Sequence, residues 1–256
     1  MKYTLTLLAL CALFFAKANP PEQEFYEIRI YELSNADQEK RMDAYLKDAF
    51  LPALHRAGTS KIGVFKPIGN DTAAIRKIYL LIPYKSLNDL DAIDKKLEKD
   101  KSYNEAGSGY INTAHDNPAY TRFSKIILKA FIGHPRLTEP KLTGARNNRV
   151  YELRSYEGAT EKLYKKKVDM FNKGNEIAIF EDLKFNHIFY GEVLAGTAMP
   201  NLMYMTSFDD MKSRDEHWKA FGTHPDWKKL SSDKQYDNTV SHMDITFLYP
   251  ADYSDL

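Results

Sequence analysis

The segment YEIRIYE at residues 26–32 returns as YELRSYE at residues 151–157, with tyrosine, glutamate, arginine and tyrosine in the same relative places. A strand that occurs twice constrains the fold more than any single motif, because the surroundings of each copy must suit the same residues. Each copy also opens the same order of elements. In the first half FYEIRIYEL reads as a strand, and Ser34 or Asp37 can cap a helix carrying Met42, Tyr45, Leu46, Ala49, Phe50 and Leu54 at helical spacing. KIGVFKPI and RKIYLLIPY flank the turn signal Gly69-Asn70 as a hairpin, Leu87, Leu90, Ile93 and Leu97 trace a second helix, and RFSKIILKAF closes as a strand.

The second half runs RVYELRSYE, a helix from about Ala159 to Asp182 that Gly174 weakens, KFNHIFYGEVL, NLMYMTSF, a helix from about Asp209, and HMDITFLYP. This order predicts an α+β protein, two ferredoxin-like βαββαβ repeats packed sheet-to-sheet as a pseudo-dimeric α+β barrel. The repeats are expected at 19–132 and 149–256, joined by a linker at 133–148, GHPRLTEPKLTGARNN, which is rich in proline, glycine and polar residues. IYLLI and LMYM are apolar on both alternations, as strands covered on both faces must be.

Residues 1–18 have the form of a secretory signal, with Lys2, an apolar run from Leu5 to Phe15, and the small-x-small Ala16-Lys17-Ala18. The run is too short for a spanning helix, which needs about 20 apolar residues. An exported protein, periplasmic or secreted, is therefore expected. Lipidation of Cys11 is the alternative, disfavoured by Leu10 where a small residue is wanted. Cys11 is the only cysteine, so the mature chain has no disulfide and no thiolate nucleophile. The formal net charge is +1 at pH 7 with both signs interleaved, which leaves no footprint for nucleic acid. No integral membrane segment is expected in the mature chain.

Alternation along the repeated strand puts Tyr26, Ile28 and Ile30 on one face and Glu27, Arg29 and Tyr31 on the other. The copy divides into Tyr151, Leu153 and Ser155 against Glu152, Arg154 and Tyr156. The more apolar face is expected under the helices and the Glu-Arg-Tyr face inside the barrel. Two readings follow. In one, the charges are internal ion pairs that hold the sheets in register. In the other, they form a polar cleft between the half-barrels in which Arg29 or Arg154 binds a carboxylate, and Arg154→Ala changes ligand binding more than stability.

Trp218, Phe221, Trp227 and Leu230 have helix-compatible spacing and read first as core, second as an apolar pocket wall. His187 alternates with Phe185 and Phe189 on one strand face; it reads first as a hydrogen-bonded core or exposed histidine and second as a base or haem ligand entering the barrel. His217 and His224 are too far apart on one helix to share a metal ion. His242 and Asp244 share a face of the last strand as a His-carboxylate pair. No phosphate loop, nucleophile elbow or zinc-spaced motif is present, and no metal site is expected.

YELRSY at 151–156, the hairpin leading into MYMTSFDDMKSRDEHW, and above all HWKAFGTHPDWKKL, where Pro225-x-Trp227 follows a charged helix, make the second half resemble the NIPSNAP family. The first half departs from that pattern with LEKDKSYNEAGSGYINTAHDNPAY in place of the Pro-x-Trp element. The resemblance implies the barrel fold and a homo-oligomer. It brings no settled reaction or catalytic residues. Haem enters only by fold analogy, since related barrels include antibiotic-biosynthesis monooxygenases and haem-degrading enzymes. The expectation is an exported small-molecule-binding protein, with a cofactor-independent or haem-linked monooxygenase-like enzyme and a non-catalytic oligomeric assembly module as alternatives.

Overall fold

The computed structural model describes residues 22–256, so the signal segment expected at 1–18, with Cys11, lies outside the described residues. The first half contributes strands β1 (Phe25–Leu33), β2 (Gly63–Pro67), β3 (Arg76–Tyr84) and β4 (Arg122–Ala130). The second contributes β5 (Val150–Glu157), β6 (Asn186–Ala195), β7 (Asn201–Phe208) and β8 (His242–Pro250). All neighbours pair antiparallel in the closed order β1-β3-β2-β8-β5-β7-β6-β4. The two four-stranded sheets thus join at both edges, through Phe65↔Pro250 to Pro67↔Leu248 and through Leu128↔Val193 to Ala130↔Gly191. Closure uses edge hydrogen-bonding groups that an isolated sheet would leave open.

Helices cover the outside of each sheet. Over the first lie α1 (Ala36–Tyr45), running through a π-helical turn at Leu46–Phe50 into α2 (Leu51–Arg56), then α3 (Leu87–Lys99), α4 (Lys101–Ala106) and α5 (Ser108–Ile111). Over the second lie α6 (Glu161–Asn172), α7 (Glu176–Asp182), α8 (Met211–Thr223) and α9 (Pro225–Ser231). Asn35, not Ser34 or Asp37, caps α1: its backbone is extended and its side chain accepts from the Gln38 backbone N at 2.9 Å. The long helix expected over 159–182 breaks in two. Asn175 takes φ +62°, and a Cβ on Gly174 would stand 2.5 Å from the Met170 carbonyl oxygen.

The barrel interior is a solid core of Tyr26, Ile28, Phe65, Tyr151, Leu153 and Phe189 with their neighbours. An eight-stranded barrel is just wide enough for side chains to fill. Phe189 is fully buried there, and truncating such a residue to alanine costs about 3–5 kcal/mol. Leu137 and the C-terminal Leu256 pack into this same core, and the Arg146 Nη2 donates to the carbonyls of Ala251, Ser254 and Leu256. The stretch after β4 and the chain's end are thereby tied to each other. No helix among the described residues is long and apolar enough to cross a membrane.

Candidate functional site

The face assignment of the repeated strand is the reverse of the expectation. Tyr26 and Ile28, with Tyr151 and Leu153, point into the barrel. Glu27, Arg29 and Tyr31, and likewise Glu152, Arg154 and Tyr156, point outward into the layer between sheet and helices, where Tyr31 and Tyr156 join two separate clusters. The physical reason is that both faces are buried, so apolarity alone could not choose between them. A filled apolar barrel interior has no partner for a buried ion pair, whereas on the outer face Tyr84 and Lys125 of neighbouring strands approach Glu27, and Arg214 and Trp218 of α8 bind Glu152. The six residues therefore form two sites, one per half, and no shared cleft between the half-barrels.

In the second half every polar group of the triad is occupied. Glu152, fully buried, accepts from Arg154 Nε at 2.6 Å, from Arg214 Nε at 2.8 Å and Nη2 at 3.1 Å, and from Trp218 Nε1 at 2.8 Å. Arg154 Nη1 donates to the Tyr156 hydroxyl at 3.0 Å, which lies 2.8 Å from the Tyr204 hydroxyl. The Arg154 guanidinium sits 3.6 Å from the centre of the Trp218 ring. A carboxylate with four donors and an arginine stacked on indole form a closed brace between β5 and α8.

The first half keeps the triad but not its cover. Counted from the N-caps Ser86 and Asp210, the positions of Arg214 and Trp218 in α8 are occupied in α3 by Leu90 and Asp94. Glu27 holds Arg29 Nε at 2.5 Å, with Tyr84 Oη at 3.5 Å and Lys125 Nζ at 3.7 Å further off. Beyond that bond Arg29 has one long contact, Nη1 to the Tyr31 hydroxyl at 3.3 Å, and its Nη2 makes no hydrogen bond among the described residues. Its side chain is 8% exposed. Burial opposes the Arg29 charge, but Tyr31 and Glu27 outweigh it and hold the guanidinium protonated.

Aromatic rings surround this arginine. Phe50, the last residue of the π turn, and Phe123 lie 5.1 and 5.9 Å from the guanidinium carbon. Tyr31 packs against Tyr120 at 5.4 Å, Tyr45 stacks on Tyr110 at 3.7 Å, and the Tyr45 and Tyr103 hydroxyls lie 2.9 Å apart. Burial raises the pKa of Tyr45, Tyr84 and Tyr110, so they stand as neutral phenols. A cavity of about 220 Å³ is bounded by Tyr45, Tyr110 and Gly107, with Arg41 and Asp48 at its rim. Tyr103, Tyr110 and Tyr120 all come from the segment that departs from the family pattern. Sequence reasoning missed them, along with Tyr45 and Arg214; three tyrosines within that one segment were the available signal.

The other candidates fall elsewhere. A β-bulge between His187 and Phe189 puts them out of phase, so Phe189 enters the barrel while His187 turns to His134, 4.7 Å away between ring centres, and to Tyr190. Trp227 packs on Phe221 at 4.6 Å, which makes it core of the second helix layer. Lys167 and Glu176 form a buried ion pair at 2.8 Å. His242 Nε2 lies 3.3 Å from Asp244 Oδ1, and with Glu157 these are, among the described residues, the one group of three spaced like metal ligands, within 4.8 Å of one another. The residues do not fit haem: His224 alone borders a described cavity, and both its nitrogens are engaged, by Asp182 and by the Asp226 backbone N.

Residues 151–255 match the NIPSNAP family model. Over nearly its whole length the chain is similar to a candidate monooxygenase from Fusobacterium nucleatum, at 9% identity, 89% of this chain, 92% of that one and a TM-score of 0.60. A candidate monooxygenase from Lactobacillus acidophilus is similar at 12% identity, 90% and 94% coverage and a TM-score of 0.55. A NIPSNAP family protein from Agrobacterium tumefaciens is 19% identical over 46% of this chain and 98% of its own, with a TM-score of 0.37. No curated protein matches the sequence. At these identities likeness to solved structures bears on the fold alone. The match to the NIPSNAP model covers the second half of the chain, the part that carries Glu152, Arg154, Arg214 and Trp218.

Proposed function

We propose that the protein binds a small molecule bearing a carboxylate or similar oxyanion in the first half, at Arg29 between sheet and helices. The observation that carries this is a nearly buried guanidinium that lacks the stacked indole and second arginine covering its counterpart Arg154, and is ringed instead by phenols and phenylalanines. Arginine presents N–H donors in a planar fork that matches a carboxylate, and the aromatic rings suit an apolar body. The matching arginine of the second half is stacked on Trp218 and shares Glu152 with Arg214, and serves as a brace. Export belongs to the same reading and rests on residues 1–18 as sequence. A duplicated origin of the two βαββαβ units, at 19–132 and 149–256, is supported by the doubled strand and the doubled element order. A monooxygenase-like reaction has only fold likeness behind it.

The test is a thermal-shift and calorimetric screen of 4-hydroxybenzoate, 1-naphthoate and octanoate against the wild type, Arg29→Lys and Arg154→Lys. Lysine keeps the charge beside each glutamate and removes the planar fork. At least one acid should bind saturably, and Arg29→Lys should weaken it about tenfold while Arg154→Lys leaves it unchanged. No saturable binding up to about 10 mM, or loss in Arg154→Lys alone, would overturn the assignment.

A further inference from the structure

The turn joining α6 to α7 and the turn joining α8 to α9 face each other across a cavity of about 540 Å³. None of the six Glu-Arg-Tyr residues lines it. Small-molecule sites occupy roughly 300–1,000 Å³, so the space is sufficient for a ligand of modest size. Its floor is apolar, formed by Ala178, Ile179 and Leu230. Gly174 permits the close approach of Leu230, because a Cβ there would stand 3.0 Å from Leu230 Cδ1.

The polar lining has one dominant sign. Asp182, Asp226 and Asp233 border the cavity against one lysine, Lys229. His224 is held within this lining by two contacts. Its Nδ1 accepts from the Asp226 backbone N at 3.2 Å, and its Nε2 lies 3.1 Å from Asp182 Oδ2. The exposed Asp226 carboxylate has no ion-pair partner among the described residues, and it lines the same cavity as Ile179 and Leu230. An anion entering here would meet net repulsion, whereas a protonated amine would complete the Asp226 charge and leave its apolar part on Ile179 and Leu230.

The geometry points to a second small-molecule site, in the NIPSNAP half, that takes an organic cation: an amine or guanidinium on a short aryl or alkyl body. It is independent of the Arg29 site in place and in charge preference.

The decisive experiment titrates the full chain with 2-phenylethylamine and, as a near-isosteric anion, with 3-phenylpropionate. The amine should bind saturably, and the acid about tenfold or more weakly at this site. Ala178→Trp, a change at an exposed position that fills the cavity, should abolish amine binding, and the pair Asp182→Asn/Asp226→Asn should weaken it about fivefold or more. Arg29→Lys should leave it unchanged, which separates this site from the one proposed above. Equal binding of amine and acid in the Arg29→Lys background, no saturable amine binding up to about 10 mM, or undiminished binding in a folded Ala178→Trp would overturn the assignment. Should Ala178→Trp fail to fold by circular dichroism, the double asparagine variant decides: unchanged amine affinity there overturns the site.

Discussion

Trp218 and Arg154 are held face to face at 3.6 Å, and the same indole donates through Nε1 to Glu152, the carboxylate that Arg154 also binds. One helix residue thereby satisfies both members of a buried ion pair. Asp94, at the equivalent place in α3, cannot do this for Arg29, and that difference separates a brace from a candidate binding site.

Arg154→Met should lower stability by about 3 kcal/mol, measured by urea denaturation followed through tryptophan emission. It removes a partner from a fully buried carboxylate and uncovers the Trp218 ring. This reverses the expectation that the Arg154 position governs ligand binding more than stability. A loss under about 1 kcal/mol would show the brace to be dispensable.

Lys167→Met alone should cost about 3–5 kcal/mol, because it strands the buried Glu176 carboxylate. The double variant Lys167→Met/Glu176→Leu should recover most of that loss, since it removes both charges from a site lined by Phe171 and Trp227. A double-mutant cycle in denaturant measures the coupling, and additive single losses would contradict it.

His134 should make the fold acid-sensitive. Burial, and secondly the neighbouring His187, push its pKa down from 6.5 to about 4. The folded state thus binds the proton less well than the unfolded chain. Its stabilising contribution is complete above pH 6.5 and is lost as pH falls through that value toward 4, amounting to about 2–3 kcal/mol. His187, also lowered by burial, adds in the same direction, with Glu181 opposing. Melting temperatures from pH 7 to pH 4 should fall more steeply in the wild type than in His134→Gln. Parallel profiles would remove His134 from the account.

The fold was largely legible from residues, because element order depends on periodicity and turn chemistry that the chain spells out. Val150–Glu157 formed where the repeated strand put it, and Gly69, at φ +81°, made the hairpin turn. The site was legible in identity but not in orientation. Glu27, Arg29 and Tyr31 do share one face, yet a strand buried on both sides gives periodicity no means of telling barrel from helix layer. His187 was misplaced by one bulged residue, which the alternation rule cannot register. The tyrosines around Arg29 came from a segment with no helical stripe of its own, and only tertiary packing brings Tyr110 onto Tyr45.

The central claim is that Arg29, and not Arg154, receives a ligand. Its most direct test is calorimetric titration of whichever carboxylate binds the wild type into Arg29→Lys and Arg154→Lys under identical conditions. The predicted result is a Kd raised about tenfold in Arg29→Lys and unchanged in Arg154→Lys. An unchanged Kd in Arg29→Lys, with the protein folded as the wild type, would contradict it.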